Sequence, residues 1–392
     1  MSQASAGMIS GVFLPFFGAY LAWRGLSAGQ IGLVLSSALM LRALAGPLSG
    51  IVADAHNDRR SVMLALYWVT LAGFGALAVA PTKGLIFVTA VAAYVAYGTA
   101  TPLLESVCAR LSERYGFDYG RVRIWASTTF IIMNIVGGLS IRFLDFGVVA
   151  PLLALGAMMC VISTLALPSP GLRQAAGALG PKLRATLDET RELLSAPVFL
   201  IFLAAAAFEQ ASHGFYYGYG GLHWIAIGYK PWLVSIIWPL GVLAEIALFS
   251  QALKVLGVFG PSRLLFIGGI VCVIRWTIMA FDPPLPLVIF AQFLHGGTFA
   301  LAHLGAVFFI LRAVPPRLAA TAQSLYFVCS QGILMGVSTL ASGAVYAAFG
   351  GKAYLLMSAF GAVGIAFALL LTKRWHGARI LHGAQDERVD TI

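Results

Sequence analysis

The sequence predicts an all-α membrane protein of twelve transmembrane helices in two six-helix bundles, and three observations carry that prediction. Of 392 residues, 60% are hydrophobic and 10% charged, against about half and about a quarter in soluble domains. The hydrophobic share is roughly 235 residues, close to the roughly 240 that twelve spans of about 20 residues need. The apolar residues fall into twelve runs, which one long polar loop divides six and six. No stretch of these residues is polar enough for a water-soluble domain of about 100 residues, which excludes an extramembrane enzyme domain within them.

In chain order the runs lie at about 7–23, 30–53, 61–80, 85–109, 122–142, 149–168, 197–218, 232–253, 263–281, 285–311, 318–348 and 353–372, bounded by charge or by Gly and Pro. The first reads as a retained helix and not a cleaved signal, because it lacks a basic leader and ends on Trp23 and Arg24. Its polar start, MSQASAG, predicts a short first helix or a chain that begins further upstream. The longest loop opens on Pro168, Ser169 and Pro170. The expected organisation is a bundle at 1–168, a cytoplasmic loop at 169–196, a second bundle at 197–372 and a cytoplasmic tail at 373–392. Gly25 and Gly228, ahead of spans 2 and 8, each precede an intramembrane charge, Arg42 and Glu245, by 17 residues. That coincidence suggests a parallel repeat, as in transporters with a midplane site.

The net charge of +10 invites a nucleic-acid reading in a soluble protein, but position decides otherwise. Lys and Arg accumulate on the cytoplasmic side of membrane proteins. With the N-terminus inside, 18 of the 25 lie in cytoplasmic segments, five in outer loops (Arg24, Lys83, Arg142, Lys230 and Lys352), and two, Arg42 and Arg275, within apolar runs. Both termini are therefore expected in the cytoplasm. Cys108, Cys160, Cys272 and Cys329 all fall in apolar runs with no CxxC pair, which implies neither a disulfide framework nor a zinc site.

The loop between spans 2 and 3 runs from Gly50 through Asp54 and Asp58 to Arg59 and Arg60, and it resembles the G-x-x-x-D-x-x-x-R-[RK] signature of the major facilitator superfamily. There Gly50 is expected to permit close helix packing, Asp54 to sit at a neighbouring helix N-terminus, and the arginines to hold the loop at the cytosolic surface. The equivalent loop between spans 8 and 9, KVLGVFGPSR, lacks the acid. Further segments are similar to the phenylpropionate permease group of that superfamily, itself related to lactose permease and nucleoside/proton symporters. They are FLPFF, DYGRVRIWAS, HGFYYGY, GVLAEI, IRW and QFLHGGTFALAH, spread over both halves. The resemblance implies the major facilitator fold and a proton-coupled importer of small organic solutes in a bacterial inner membrane.

Ionisable residues inside a membrane cost about 2.5–3.5 kcal/mol each on insertion scales and so face a cavity or a partner. Glu245 lies 13 residues into span 8, about 20 Å deep at about 1.5 Å per residue, near the middle of a core about 30 Å thick. It is the first candidate for the coupling carboxylate; the alternative is a structural ion pair. One of Arg42 and Arg275 is expected to neutralise it and the other to receive an anion, since a guanidinium grips a carboxylate in two parallel bonds. The resemblance makes span 9 peripheral and Arg275 a prop for span 8. Glu105 follows Thr101-Pro102, where proline frees a backbone carbonyl. It reads equally as an ion or substrate site and as a gate pairing with Arg110 or Arg123.

On span 7, Gln210, His213, Gly214 and Tyr217 share a helical stripe; on span 10, Gln292, His295, Phe299 and His303 share another. The histidines suit proton relay, although a lone helix histidine is usually a satisfied core residue. No cysteine or carboxylate set at ligand spacing joins them, so no metal is expected. Glu209 is a second proton candidate, and Tyr326 a hydrogen-bonding one. Aromatic residues crowd spans 1, 7 and 11, lining a pocket for a ring or facing lipid.

The sequence reading is thus a symporter with Glu245, His295, His303, Glu105 and Glu209 for proton coupling, and Arg42, Gln210, His213, Tyr217, Gln292, Arg275 and Tyr326 for an aromatic monocarboxylate. The rivals are a sugar or nucleoside symporter, an efflux pump and a membrane sensor. Expected partners are solute, protons and the bilayer, with no nucleic acid and no cofactor, in a monomer.

Overall fold

The computed structural model describes residues 1–56, 58–167 and 179–381. Pro168, Ser169 and Pro170 of the central loop lie outside the described residues, as does the side chain of Asp54. Every regular element among the described residues is helical. The first six spans are α1 (Ser2–Trp23), α2 (Ala28–His56), α3 (Arg59–Val79), α4 (Lys83–Tyr115), α5 (Tyr119–Phe143) and α6 (Val149–Leu165). A helix outside the spans, α7 (Leu179–Leu194), follows. Span 7 comprises α8 (Pro197–Ala211), a π-helical turn (Tyr216–Gly220) and α9 (Gly221–Ala226); span 8 is α10 (Pro231–Phe249), trailed by the short α11 (Ala252–Phe259). Span 9 is α12 (Pro261–Met279), and span 10 is α13 (Leu285–His295), a π-helical turn (Gly296–Leu301) and α14 (Ala302–Ala313). Span 11 is α15 (Ala319–Phe327), a π-helical turn (Val328–Leu334) and α16 (Met335–Phe349), and span 12 is α17 (Tyr354–Arg374).

Eleven described stretches are long and apolar enough to cross a membrane, the last of 59 residues. As one helix that stretch would be roughly 88 Å long at about 1.5 Å per residue. Gly350 divides it with a φ of 56°, a left-handed conformation that glycine adopts without steric penalty, and twelve crossings result. The first helix starts at Ser2, earlier than its polar opening predicts. The reason is local: Ser5 Oγ lies 2.9 Å from Ser163 Oγ on α6 and Ser2 Oγ donates to the Ser163 carbonyl at 3.4 Å, so the buried hydroxyls are satisfied.

The chain divides into two compact units. Unit 1 is Met1–Leu179, Gly214–Leu240 and Thr339–Gly350. Its centre is α1, whose Ile9, Val12, Phe16 and Leu21 are fully buried. Helix α5 lies so close that a Cβ at Gly7 or Gly11 would stand 2.2 or 2.4 Å from one of its carbonyl oxygens, the small-residue packing that joins helices where no hydrophobic effect acts between them. Gly25 and Gly228, the two linker glycines, both take positive φ, 80° and 105°.

Unit 2 is Gly180–His213, Gly241–Ser338 and Gly351–Ile392. Here α8, α12 and α17 pack together, and Phe309 stacks on Phe202 at 4.1 Å with Trp375 edge-on at 4.7 Å. Helix α7 docks on this unit through buried Leu193, two bonds from Arg317 to Glu192 and one from Thr321 to Glu189.

Candidate functional site

Five spans of unit 2 bring polar side chains to one network. Arg275 on α12 is completely buried, with its guanidinium carbon 4.2 Å from the Trp276 ring centre. It donates from Nη1 to His295 Nδ1 at 2.6 Å and to Thr298 Oγ1 at 3.0 Å, and from Nη2 to Gln292 Oε1 at 3.4 Å. A guanidinium can only donate, so His295 Nδ1 accepts, and the ring proton sits on Nε2. That nitrogen lies 2.7 Å from Glu245 Oε1 on α10. Arginine therefore reaches the carboxylate through an imidazole, and the expected neutralising of Glu245 is a relay.

On the other side of Arg275 the chain continues into span 7. His213 Nδ1 lies 3.1 Å from the Gln210 carbonyl, and its Nε2 lies 3.0 Å from Thr298 Oγ1. The carbonyl is an acceptor, which puts the proton of a neutral His213 on Nδ1 and leaves Nε2 to accept from Thr298. The imidazoles of His213 and His295 meet edge-on with centroids 5.3 Å apart. Gln210, also completely buried, donates to Tyr326 Oη at 3.3 Å and accepts from Gln331 Nε2 at 3.1 Å, tying span 7 to span 11. Glu245, with 17% of its side chain accessible against 5% for His295, is the more accessible member of the Glu245–His295 pair.

Each of spans 7, 10 and 11 carries a π-helical turn beside these residues, and Thr298 belongs to one of them. Such turns shift the angular phase of a helix and recur at functional sites. Fixed helical stepping does not carry across them. Tyr217 falls in the π-helical turn of span 7 and in unit 1, 5.5 Å from the Tyr216 ring, while Gln210 and His213 fall in unit 2. On span 10, Phe299 stands between His295 and His303, at 5.8 and 6.0 Å. His303 is set among Phe249, Phe299, Tyr326 and Phe327.

Glu209 points away from its neighbour Gln210. It is completely buried, its carboxylate is without a described hydrogen-bond partner, and it sits in a niche beside Gly268, Gly269 and Gly364.

In unit 1, Arg42 lays its stem across Gly98, where a Cβ would come within 2.0 Å of Arg42 Cδ, and holds its guanidinium carbon 5.7 Å from the Tyr94 ring centre. Tyr94 stacks on Phe13 at 4.1 Å and Phe13 on Phe17 at 4.3 Å. A cation thus stands at the end of an aromatic column. Glu105 accepts from Tyr119.

In the loop signature, Asp58 caps α3 by accepting from the Ser61 amide at 3.0 Å and its hydroxyl at 2.6 Å. Arg59 donates to Ser106, and Arg60 to the Thr164 and Leu165 carbonyls that end α6, where a cation complements the helix dipole. Gly50 departs from its expected role. No described atom lies within 4 Å of the position its Cβ would take, so no close packing requires glycine there. Sequence reasoning missed Thr298, Gln331, Trp276 and Tyr94, which lack charge or sit inside apolar runs. It also missed α7, although its apolar and polar residues segregate with helical period.

Comparison with known proteins places this arrangement. A model described as the MFS_1 like family matches residues 7–357. The chain belongs to that family. This MFS_1-like chain is therefore a multi-pass membrane protein and a secondary transporter of the major facilitator type, not an enzyme. It is 27% identical over 353 residues to a probable 3-phenylpropionic acid transporter of Escherichia coli K12, covering 89% of this chain and 90% of that one. It is 28% identical over 368 residues to the maltose permease of Geobacillus stearothermophilus, covering 93% and 91%. Among solved structures it superposes on a point mutant of the nucleoside transporter NupG with a TM-score of 0.82, at 20% identity, over 96% of this chain and 99% of that one. A D-xylose–proton symporter gives 0.68 at 13% identity over 97% and 98%. These structural likenesses concern the fold.

Proposed function

We propose that this MFS_1-like transporter is a proton-coupled symporter that imports a small aromatic monocarboxylate of the phenylpropionate kind by alternating access. The observation that carries the reading is the Glu245–His295–Arg275 relay. A carboxylate with limited solvent access faces an imidazole whose far nitrogen is held by a permanent cation. Protonating Glu245 removes the negative end of a charge-assisted hydrogen bond and releases the His295 N–H, so proton loading changes the bonding of spans 8, 9 and 10 together. Arg42 supplies the cation for a carboxylate, and the adjoining Tyr94 and Phe13 rings supply faces for an aromatic body. The name of the 27% identical relative supports the same solute class. The reading includes the halves at 1–168 and 197–372 as the moving parts, both termini in the cytoplasm of a bacterial cell and a monomeric unit.

The test is Glu245→Gln. Gradient-driven uptake of a labelled phenylpropionate is expected to vanish while exchange across preloaded vesicles persists. Undiminished accumulation by that variant would sink the coupling role. A second reading, a sugar symporter, is favoured by the 28% identity to a maltose permease. Competition of uptake by maltose against 3-phenylpropionate separates the two.

A further inference from the structure

Three charged side chains line one cavity at the end of unit 1 opposite Arg59 and Arg60. The cavity has a volume of about 530 Å3 and is walled by Arg142, Asp145, Phe146, Lys230, Pro231 and Trp232. Arg142, Asp145 and Lys230 are exposed, and no ion pair joins them to one another or to another described residue. Arg142 has its guanidinium carbon 5.4 Å from the Phe143 ring centre. Asp145 uses one carboxylate oxygen to accept from the Gly147 amide at 2.6 Å. Its backbone, at φ 127° and ψ −173°, occupies a region that is nearly reserved for glycine, and the Gly147 amide restrains its carboxylate.

The depth of the cavity follows from its neighbours. Phe143 and Leu144 are 75% and 69% exposed at the end of a span, and Trp23 and Trp232 are 49% and 36% exposed nearby. Apolar side chains exposed there face acyl chains, and tryptophan marks the headgroup level. The cavity therefore opens among lipid headgroups.

We propose that it holds the headgroup of a zwitterionic phospholipid of the phosphoethanolamine type. The phosphodiester lies between Arg142 and Lys230, the primary ammonium donates to Asp145, and the glycerol rests on Phe146, Pro231 and Trp232. Both charges of the lipid then meet opposite charges in charge-assisted hydrogen bonds. A phosphoglycerol headgroup leaves Asp145 without a cation, and a trimethylated headgroup offers it no N–H.

The experiment measures, by native mass spectrometry, the lipid retained by purified full-length protein after equilibration with mixed micelles of phosphatidylethanolamine, phosphatidylglycerol and phosphatidylcholine. The expected result is preferential retention of phosphatidylethanolamine. It falls at least tenfold in Arg142→Ala/Lys230→Ala, and the preference over phosphatidylcholine disappears in Asp145→Asn. Lys83→Ala, which removes an exposed cation elsewhere in unit 1, leaves retention unchanged and shows that general charge loss is not the cause. Equal retention by the double variant, or a preference of the unaltered protein for phosphatidylglycerol, overturns the proposal. Displacement of the lipid by soluble glycerophosphoethanolamine at equal concentration overturns the lipid as occupant, because recognition would then reside in the free headgroup alone.

Discussion

His295 Nε2 stands 2.7 Å from Glu245 Oε1, and the opposite edge of the same ring is held by a guanidinium at 2.6 Å. The imidazole is thus a neutral spacer between two charges drawn from spans 8 and 9. A direct ion pair would join those two spans by one contact, whereas the imidazole carries the link from span 8 to span 9 through span 10.

Arg275→Met leaves Glu245 without its cation and Thr298 and Gln292 without a donor. Removing one member of a buried charge system costs about 3–5 kcal/mol, so a clear drop in Tm is expected for the detergent-purified variant. Adding Glu245→Gln to Arg275→Met restores most of that loss, since no uncompensated charge remains. An unchanged Tm in the single variant would show that the guanidinium is not holding the site.

Gly98→Ala places a methyl group where Arg42 Cδ now lies. The flexible arginine yields and the helix survives, but the guanidinium leaves the Tyr94 face. The apparent KM for an aromatic carboxylate should rise about tenfold or more, the size of one lost charge-assisted contact, with kcat and proton coupling intact. Uptake kinetics at fixed proton gradient provide the check, and an unaltered KM removes Arg42 from solute binding.

Helix α7 is tied to span 11 by Arg317, whose bonds hold the Glu192 carboxyl below the usual carboxylate range. A depressed native pKa contributes stability above the unfolded value, about 4.3, and loses it as pH falls through the native one. Glu192→Gln therefore weakens docking at neutral pH and makes no difference in acid. The pair is accessible, so the effect is under about 1 kcal/mol and fades in high salt. Hydrogen exchange of α7 at pH 7 and pH 3 reads it out.

Lys352→Cys should react with a membrane-impermeant maleimide on intact cells, and Arg379→Cys only after permeabilisation. The reverse pattern would invert the assigned orientation. The native cysteines do not interfere seriously, because Cys108, Cys160 and Cys272 are buried and Cys329 is partly so.

The spans were legible in the chain because a bilayer imposes one requirement, about 20 apolar residues per crossing, and each charge inside such a run signals its own cost. That is why Glu245, Arg275, Arg42 and the histidines stand out before any coordinates. The sequence by itself thus determined the helical class, the number of crossings and the identity of the costly residues. Which of those residues meet was decided in three dimensions. Glu209 and Gln210 are adjacent in the chain, yet one enters a glycine niche and the other the Tyr326–Gln331 network. Thr298 carries no charge and no periodic signature, yet it joins Arg275 to His213. The physical reason is that hydrogen bonds are short and directional while hydropathy is a sum over twenty residues. Three π-helical turns reset the angular phase of the spans that bear the site, and tertiary packing alone fixes where such resets fall.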